Sequence, residues 1–278
     1  MSQKGKKSFD VQDLWRGGVL QCLEAGSVGL PFEVWKTYMG SNREIGTIQA
    51  FRNIYSDGGV SAFWRGFKPK MVESFFKGGI LLFAKESIIS TCSSFGMSEV
   101  GAGLVGGFGG GVAQVSVMGP CTFLVTAAVT NKETSMTSVI RSTFSQHGIA
   151  GFYRGGSALM LRQGSNWASR QGLTDLVRTS MKKLQNKDQL SIGEEALSGI
   201  IGGSLSTWNQ PFEVLRIEAQ FAAAKGLTTK GIMENAATIV KSNGFIGLYA
   251  GVVPRMGLCV AQTLFMVTIP KLMKNAGI

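Results

Sequence analysis

Charge is scarce in this chain: Asp, Glu, Lys and Arg make up 16% of its 278 residues, where soluble domains carry roughly a quarter. Histidine occurs once, as His147, at a turn position with no set of catalytic partners around it. The four cysteines, Cys22, Cys92, Cys121 and Cys259, have no metal-ligand spacing and suit reduced thiols in a helical core. No 20-residue run is purely apolar, which excludes an isolated spanning helix of the simplest kind. Acidic residues are outnumbered, 17 against 28 basic ones, for a formal net charge of +11. Apart from Lys4, Lys6 and Lys7, however, the basic residues are dispersed and form no recognised nucleic-acid module. These absences leave an enzyme with almost no support, and no metal, cofactor or nucleic-acid partner is expected.

Small and apolar residues are abundant. Hydrophobic residues are 44% of the chain, with 38 glycines and 12 methionines. Six stretches are long, mostly apolar and sparse in charge, at about 12–40, 70–92, 98–130, 157–180, 191–221 and 252–276. An ionisable side chain facing lipid is costly, so the polar residues on these stretches should turn toward a water-filled centre.

The chain spells one block three times: Pro31-Phe32-Glu33-Val34-Trp35-Lys36, Pro120-Cys121-Thr122-Phe123-Leu124-Val125 and Pro211-Phe212-Glu213-Val214-Leu215-Arg216. The prolines are 89 and 91 residues apart. Each block is followed by a Gly-containing turn and then by an aromatic element: Trp64-Arg65-Gly66, Tyr153-Arg154-Gly155 and Tyr249-Ala250-Gly251. Three repeats follow, at 1–95, 96–187 and 188–278, together forming one domain. The period is too long for a stacked solenoid, and three copies suit a closed threefold arrangement. Between the apolar stretches, 44–56, 134–147 and 230–243 read as short amphipathic helices, with Ile45, Ile48, Phe51, Arg52 and Tyr55 carrying the first pattern. Each repeat is thus helix, short surface helix, helix. Small residues recur thirteen and nine positions before each proline (Gly18 and Cys22, Gly107 and Gly111, Ser198 and Gly202), where they permit close helix packing. Pro31, Pro120 and Pro211 are expected to kink the first helix of each repeat. Gly101-Ala102-Gly103-Leu104-Val105-Gly106 matches a dinucleotide fingerprint but falls on such a packing helix, so no dinucleotide site is expected.

The repeated Pro-x-acidic-x-x-basic block with its aromatic-basic-Gly element resembles the signature of the mitochondrial carrier family along the whole chain. The resemblance implies an all-α membrane protein: six transmembrane helices in a pseudo-threefold bundle, each repeat with a short matrix-side surface helix. It further implies a central cavity that opens alternately to either side of the mitochondrial inner membrane, internal targeting with no cleavable leader, a monomer, and anionic lipid, cardiolipin, at the aromatic-basic-Gly elements. Family members close on the matrix side through ion pairs between successive blocks. By position, the matrix-gate residues are Glu33, Lys36, Thr122, Val125, Glu213 and Arg216. Glu213 with Lys36 is intact, while Glu33 faces Val125 and Thr122 faces Arg216, so two pairs are degraded. On the cytoplasmic side the corresponding gate residues are Glu86, Asp175, Arg178 and Lys274, which allow Glu86 with Arg178 and Asp175 with Lys274. More cytoplasmic than matrix pairs implies a bias in resting conformation.

The family's contact positions, seven residues after each element's Gly, are Glu73, Arg162 and Leu258. With their neighbours they nominate Glu73, Lys77, Leu81, Arg162, Gln163 and Arg255 as substrate-binding. Guanidinium groups bind carboxylates bidentately and an ammonium adds a point charge, so Lys77, Arg162 and Arg255 suit an anion with two or three carboxylates. In the alternative reading Glu73 neutralises Lys77 and Arg255 snorkels to the interface, leaving Arg162 alone for substrate. The set, with Asn166-Trp167-Ala168-Ser169-Arg170 and Trp208-Asn209-Gln210 beside it, resembles the family's fungal citrate and 2-oxoglutarate branch, except that Val125 replaces a Lys. The resemblance thus implies exchange of citrate and 2-oxoglutarate, against a rival reading as a transport-inactive membrane scaffold. Glu24 and Glu73 either lower the empty cavity's charge or carry a proton with the anion.

Overall fold

The three prolines set the shape of the molecule, because each interrupts a long helix in its middle part. In the computed structural model, which describes residues 11–130, 135–186, 189–228 and 230–275, the first rod consists of α1 (Val11–Glu24) and α2 (Leu30–Ser41), joined by a π-helical turn over Ala25–Gly29. The short α3 (Thr47–Ser56) leads through a 3-10 turn to the second rod, α4 (Phe67–Ser94). Repeat two has α5 (Glu99–Ala113) and α6 (Val115–Thr130) as its broken rod, then α7 (Met136–His147) and the unbroken α8 (Gly156–Gln185). Repeat three has α9 (Ile192–Leu205), a 3-10 turn, α10 (Gln210–Ala224), α11 (Ile232–Asn243) and α12 (Val252–Asn275). No strand occurs among the described residues.

The rods pack in chain order into a ring: α1 on α4, α4 on α5, α5 on α8, α8 on α9, α9 on α12, and α12 back on α2 and α1. At one end α2, α6 and α10 converge on one another. The convergence follows from the breaks. A proline has no N–H for the preceding turn, and its ring crowds the carbonyl there, so the helix deforms just before it. Ahead of Pro31 the deformation is the π turn, ahead of Pro211 a 3-10 turn over Ser206–Asn209, and ahead of Pro120 a break at Gln114 with a bend of 47°.

The glycine that ends each aromatic element explains how neighbouring repeats lock together. Gly66, Gly155 and Gly251 have φ of 79°, 74° and 77°, in the left-handed region that favours glycine. Each sits on the last residue of the next proline block around the ring. A Cβ at Gly66 would lie 3.0 Å from the Val125 backbone, one at Gly155 3.1 Å from the Arg216 carbonyl, and one at Gly251 2.9 Å from the Lys36 carbonyl. The predicted small-residue packing appears as well: a Cβ on Gly111 would fall 2.6 Å from the Gln163 carbonyl of α8.

The distribution of side chains is inverted relative to a soluble protein. Glu24, Glu33, Lys36, Lys70, Glu73, Glu213, Arg216 and Arg255 are buried, while Phe76, Phe83, Leu104, Phe108, Leu161, Leu197 and Leu205 are exposed on the outer wall. Such an arrangement is of low free energy only when the outer solvent is hydrocarbon and the interior is polar. By length and composition alone, Phe245–Phe265 is apolar enough to cross a membrane, as is the bent pair Gly101–Ala113 with Val115–Thr130. The other rods fall short because each gives one face to the polar centre.

The surface helices fall where expected, but α3 uses a different face. Ala50 and Ile54 are its buried residues, Ile54 packing with Leu30, Val34 and Phe63, whereas Ile48, Phe51 and Tyr55 are exposed. In a water-bathed protein the larger apolar face would turn inward; here it lies on the outside of the bundle, with Phe51 touching Trp35 and Phe63 by its ring.

Candidate functional site

Between the rods lies a cavity of about 510 Å³ whose lining includes Glu73, Lys77, Leu81, Arg162, Gln163 and Arg255, so the structure brings all six nominated substrate residues around one space. Seven basic side chains and three carboxylates line it: Lys36, Lys70, Lys77, Arg162, Arg170, Arg216 and Arg255 against Glu24, Glu33 and Glu73. The lining thus carries an excess of positive charge around a space of small-molecule size.

Each cation is held differently. Arg255 is 5% exposed and donates to Gln210 Oε1 at 2.9 Å, Asn166 Oδ1 at 3.3 Å and Asn209 Oδ1. Its guanidinium is therefore anchored in the interior by neutral amides, which excludes snorkelling to the interface. Asn209 also donates to the Arg162 carbonyl at 3.1 Å, tying the 3-10 turn before α10 to α8. The one-turn pair of Glu73 with Lys77, on which the alternative reading rested, is not formed. Glu73 Oε1 instead accepts from Lys70, one turn earlier, at 3.0 Å, and the Lys77 ammonium has no ion-pair partner among the described residues. Arg162 donates to Gln163 Oε1 and lies 3.1 Å from Glu213 Oε2, while its Nε is without a partner. Gln163 is in turn held by Gln114 Oε1 at 2.9 Å, and Gln114 donates to the Lys77 carbonyl at 2.8 Å. Gln114, at the break of the third rod, thus spans α4 and α8. Gln163 orients Arg162 through its carbonyl oxygen.

The closed end lies directly beneath. Glu213, wholly buried, is 2.6 Å from Lys36 of α2, 2.9 Å from Arg216 of its own helix and 3.1 Å from Arg162 of α8. Three cations on three rods share one carboxylate. The two degraded pairs are met by other residues. Glu33, whose positional partner is Val125, pairs with Lys70 of α4, and Lys36 is 4.0 Å away. Val125 is buried against Gly66 and carries no polar contact. Thr122 and Arg216 are joined through Gln220: Arg216 donates to Gln220 Oε1 at 2.5 Å, and Gln220 Nε2 donates to Thr122 Oγ1 at 3.0 Å. Thr126 donates to the same Gln220 oxygen at 2.9 Å.

At the opposite end the expected pairs differ. Arg178 reaches Glu195 of α9 at 2.8 Å and Asp175 of its own helix at 2.8 Å, so it is not joined to Glu86, which is exposed. The side chain of Lys274 lies outside the described residues. Of the two expected pairs Glu86 with Arg178 is not formed, and at the convergent end Lys70 and Gln220, which lie outside the family positions, supply contacts that counting those positions omits. Lys70 was legible in principle: it stands four residues after Gly66, as Arg255 stands four after Gly251. Gln114 and Gln220 have no such repeat partner among charged residues, and only the packing reveals them.

The family model for mitochondrial carrier proteins matches three successive stretches, residues 8–94, 97–185 and 188–276. The chain belongs to the mitochondrial carrier family. Members of this family are transporters, and the carrier described here is not an enzyme. Over 94% of its length it is 34% identical to the citrate/oxoglutarate carrier protein of Saccharomyces cerevisiae, covering 88% of that protein. It is also similar to the succinate/fumarate mitochondrial transporter of the same yeast, at 25% identity over 92% of the carrier and 88% of the relative. The mitochondrial ornithine transporter 1 of Mus musculus is 23% identical, with 82% of each chain covered. The relatives differ in cargo, so family membership makes this carrier a membrane transporter of small molecules and leaves its substrate to its own cavity.

Proposed function

We propose that this carrier exchanges di- and tricarboxylates, such as citrate and 2-oxoglutarate, across the mitochondrial inner membrane by alternating access, acting as a monomer. The observation that carries the reading is the convergence of Lys77, Arg162 and Arg255 on one cavity, with Lys77 lacking an ion-pair partner among the described residues and Arg162 keeping a free Nε. Cations on three rods suit two or three carboxylates, and the likeness to the yeast citrate/oxoglutarate carrier supports the same class.

Arg162 connects binding to opening. Its guanidinium serves both the cavity and Glu213, the carboxylate on which the closed end converges. An incoming substrate carboxylate competes for Arg162, leaving Glu213 with Lys36 and Arg216, and so weakens closure when cargo is bound. Glu33, Lys36, Thr122, Glu213 and Arg216, with Val125 as a spacer, act as the matrix gate in this scheme. Asp175 and Arg178, with Glu86 and Lys274 as candidates, belong to the cytoplasmic side. Anionic lipid, cardiolipin in the family resemblance, is assigned to the N-termini of α4 and α8 beside Arg65 and Arg154, where helix amides favour an anion.

The test is exchange in liposomes loaded with citrate, read as uptake of labelled 2-oxoglutarate. Wild-type protein is expected to exchange, and Lys77→Met to lose about 10- to 100-fold, the range for one charged hydrogen bond. Folded wild-type protein that exchanges no better than Arg162→Ala would leave the scaffold reading in its place. Uptake of amino acids or nucleotides in preference to carboxylates would overturn the substrate class alone.

A further inference from the structure

The aromatic residue of each Trp-Arg-Gly, Tyr-Arg-Gly and Tyr-Ala-Gly element is bonded to one backbone carbonyl, and the identity of that carbonyl is informative. Trp64 Nε1 donates to the Gly26 carbonyl at 2.6 Å, the Tyr153 hydroxyl to the Ser116 carbonyl at 2.6 Å, and the Tyr249 hydroxyl to the Trp208 carbonyl at 3.5 Å. The offsets from the following proline are five, four and three residues. These offsets match the local helix type. Before Pro31 the turn is π-helical, with Leu30 N–H bonded to the Ala25 carbonyl, so the next bond in register would join residue 31 to Gly26. Before Pro120 the register is α, with Met118 N–H bonded to the Gln114 carbonyl, so residue 120 would bond Ser116. Before Pro211 it is 3-10, with Gln210 N–H bonded to the Thr207 carbonyl, so residue 211 would bond Trp208. In all three registers the missing donor is the proline's own, and in all three the orphaned carbonyl is capped by the aromatic residue.

Two residues later in the same element comes the left-handed glycine, which rests on Val125, Arg216 or Lys36 of the next proline block around the ring. We propose that Trp64, Tyr153 and Tyr249 are positioning residues of the closing layer: each caps the carbonyl its own proline leaves unbonded, and the glycine beside it transmits the resulting kink to the gate segment of the next repeat. The ring of three elements links the three gate helices without any charged contact. These bonds lie exposed or half-buried on the outer side of the rods, where in lipid an unpaired carbonyl finds no water and is costly, so removing the cap relaxes the bend that brings the gate segment to the axis.

The device is independent of which substrate is carried, and its test needs none. Amide hydrogen exchange is read on the purified full-length carrier for Tyr153→Phe, which keeps the ring and removes the donor. Exchange is expected to rise about fivefold, the size of one net hydrogen bond, in α6 and, through Gly155 on Arg216, in α10, with the outer segments α1, α5 and α9 unchanged. In a Pro120→Ala background residue 120 regains an N–H for Ser116, and Tyr153→Phe should add nothing further. The same increment in both backgrounds, a uniform rise along the chain, a rise confined to α6, or no change would each overturn the proposal. If Tyr153→Phe fails to fold, Trp64→Phe gives the same reading on α2 and α6. Tyr249→Phe, whose bond is the longest, should have the smallest effect.

Discussion

Lys70 is the residue on which the altered second repeat depends. With Val125 where the block would carry a cation, Glu33 finds its charge partner on the neighbouring rod, and Lys70 serves Glu73 as well. All three side chains are under a tenth exposed, so removing the shared cation strands the buried Glu73 carboxylate and leaves Glu33 only Lys36, 4.0 Å away. Lys70→Met is expected to cost about 3–5 kcal/mol, the usual range for breaking a buried pair, read as a lowered melting temperature or denaturant midpoint in detergent. Arg at the same position should recover most of the loss, whereas a purely steric role for Lys70 predicts that Met is tolerated. The nomination of Glu73 and Arg162 was legible from their distance to the repeated glycines, and that of Arg255 from its place one turn before Leu258, the equivalent position in the third repeat. The partners they use were not, because a side chain of Lys70's length reaches either Glu33 or Lys77's neighbourhood, and only the relative placement of α2 and α4 decides between them.

At the scale of elements, the helices were legible throughout, since apolar stretches sparse in charge and punctuated by proline and glycine have few other solutions in lipid. Their distortions were legible only as existing: three prolines at equivalent places produce a π turn, a 47° bend at Gln114 and a 3-10 turn. The choice reflects what each turn packs on, which lies outside its own sequence. Close packing at small residues is a stricter matter. Gly111 presses on the Gln163 carbonyl, and a backbone group cannot swing aside as a side chain does. Gly111→Leu is expected to separate α5 from α8 and abolish recovery of folded protein in detergent size-exclusion chromatography. Gly103, with open space around it, should accept the same change without loss of the folded peak. Equal behaviour of the two variants would mean that helix propensity rather than contact governs these glycines.

For the whole molecule, closure at one end rests on an asymmetric hub rather than on three equal pairs. Glu213 collects Lys36, Arg162 and Arg216, so its charge is matched from α2, α8 and α10 at once. A simple pair can be restored by exchanging its charges, but a hub cannot. Lys36→Glu should abolish exchange in liposomes, and adding Glu213→Lys should fail to rescue it, since the ammonium introduced there would face Arg162 and Arg216. Recovery to more than a few per cent of wild-type activity would show that Lys36 with Glu213 acts as an isolated pair.

The repeated blocks, the scarcity of charge and the placement of the few charged residues determined the architecture by themselves, because hydrocarbon admits only helices with polar groups turned inward, and a threefold sequence closes most simply as a threefold ring. The tertiary structure alone decided how the charges are satisfied. Lys70 replaces the cation missing at Val125, Gln220 bridges Thr122 to Arg216, and Arg162 is shared between the cavity and Glu213. The physical reason is distance: a charge in a low-dielectric interior takes whichever partner lies within about 3 Å, and contacts between rods far apart in the chain are set by packing that no local pattern encodes.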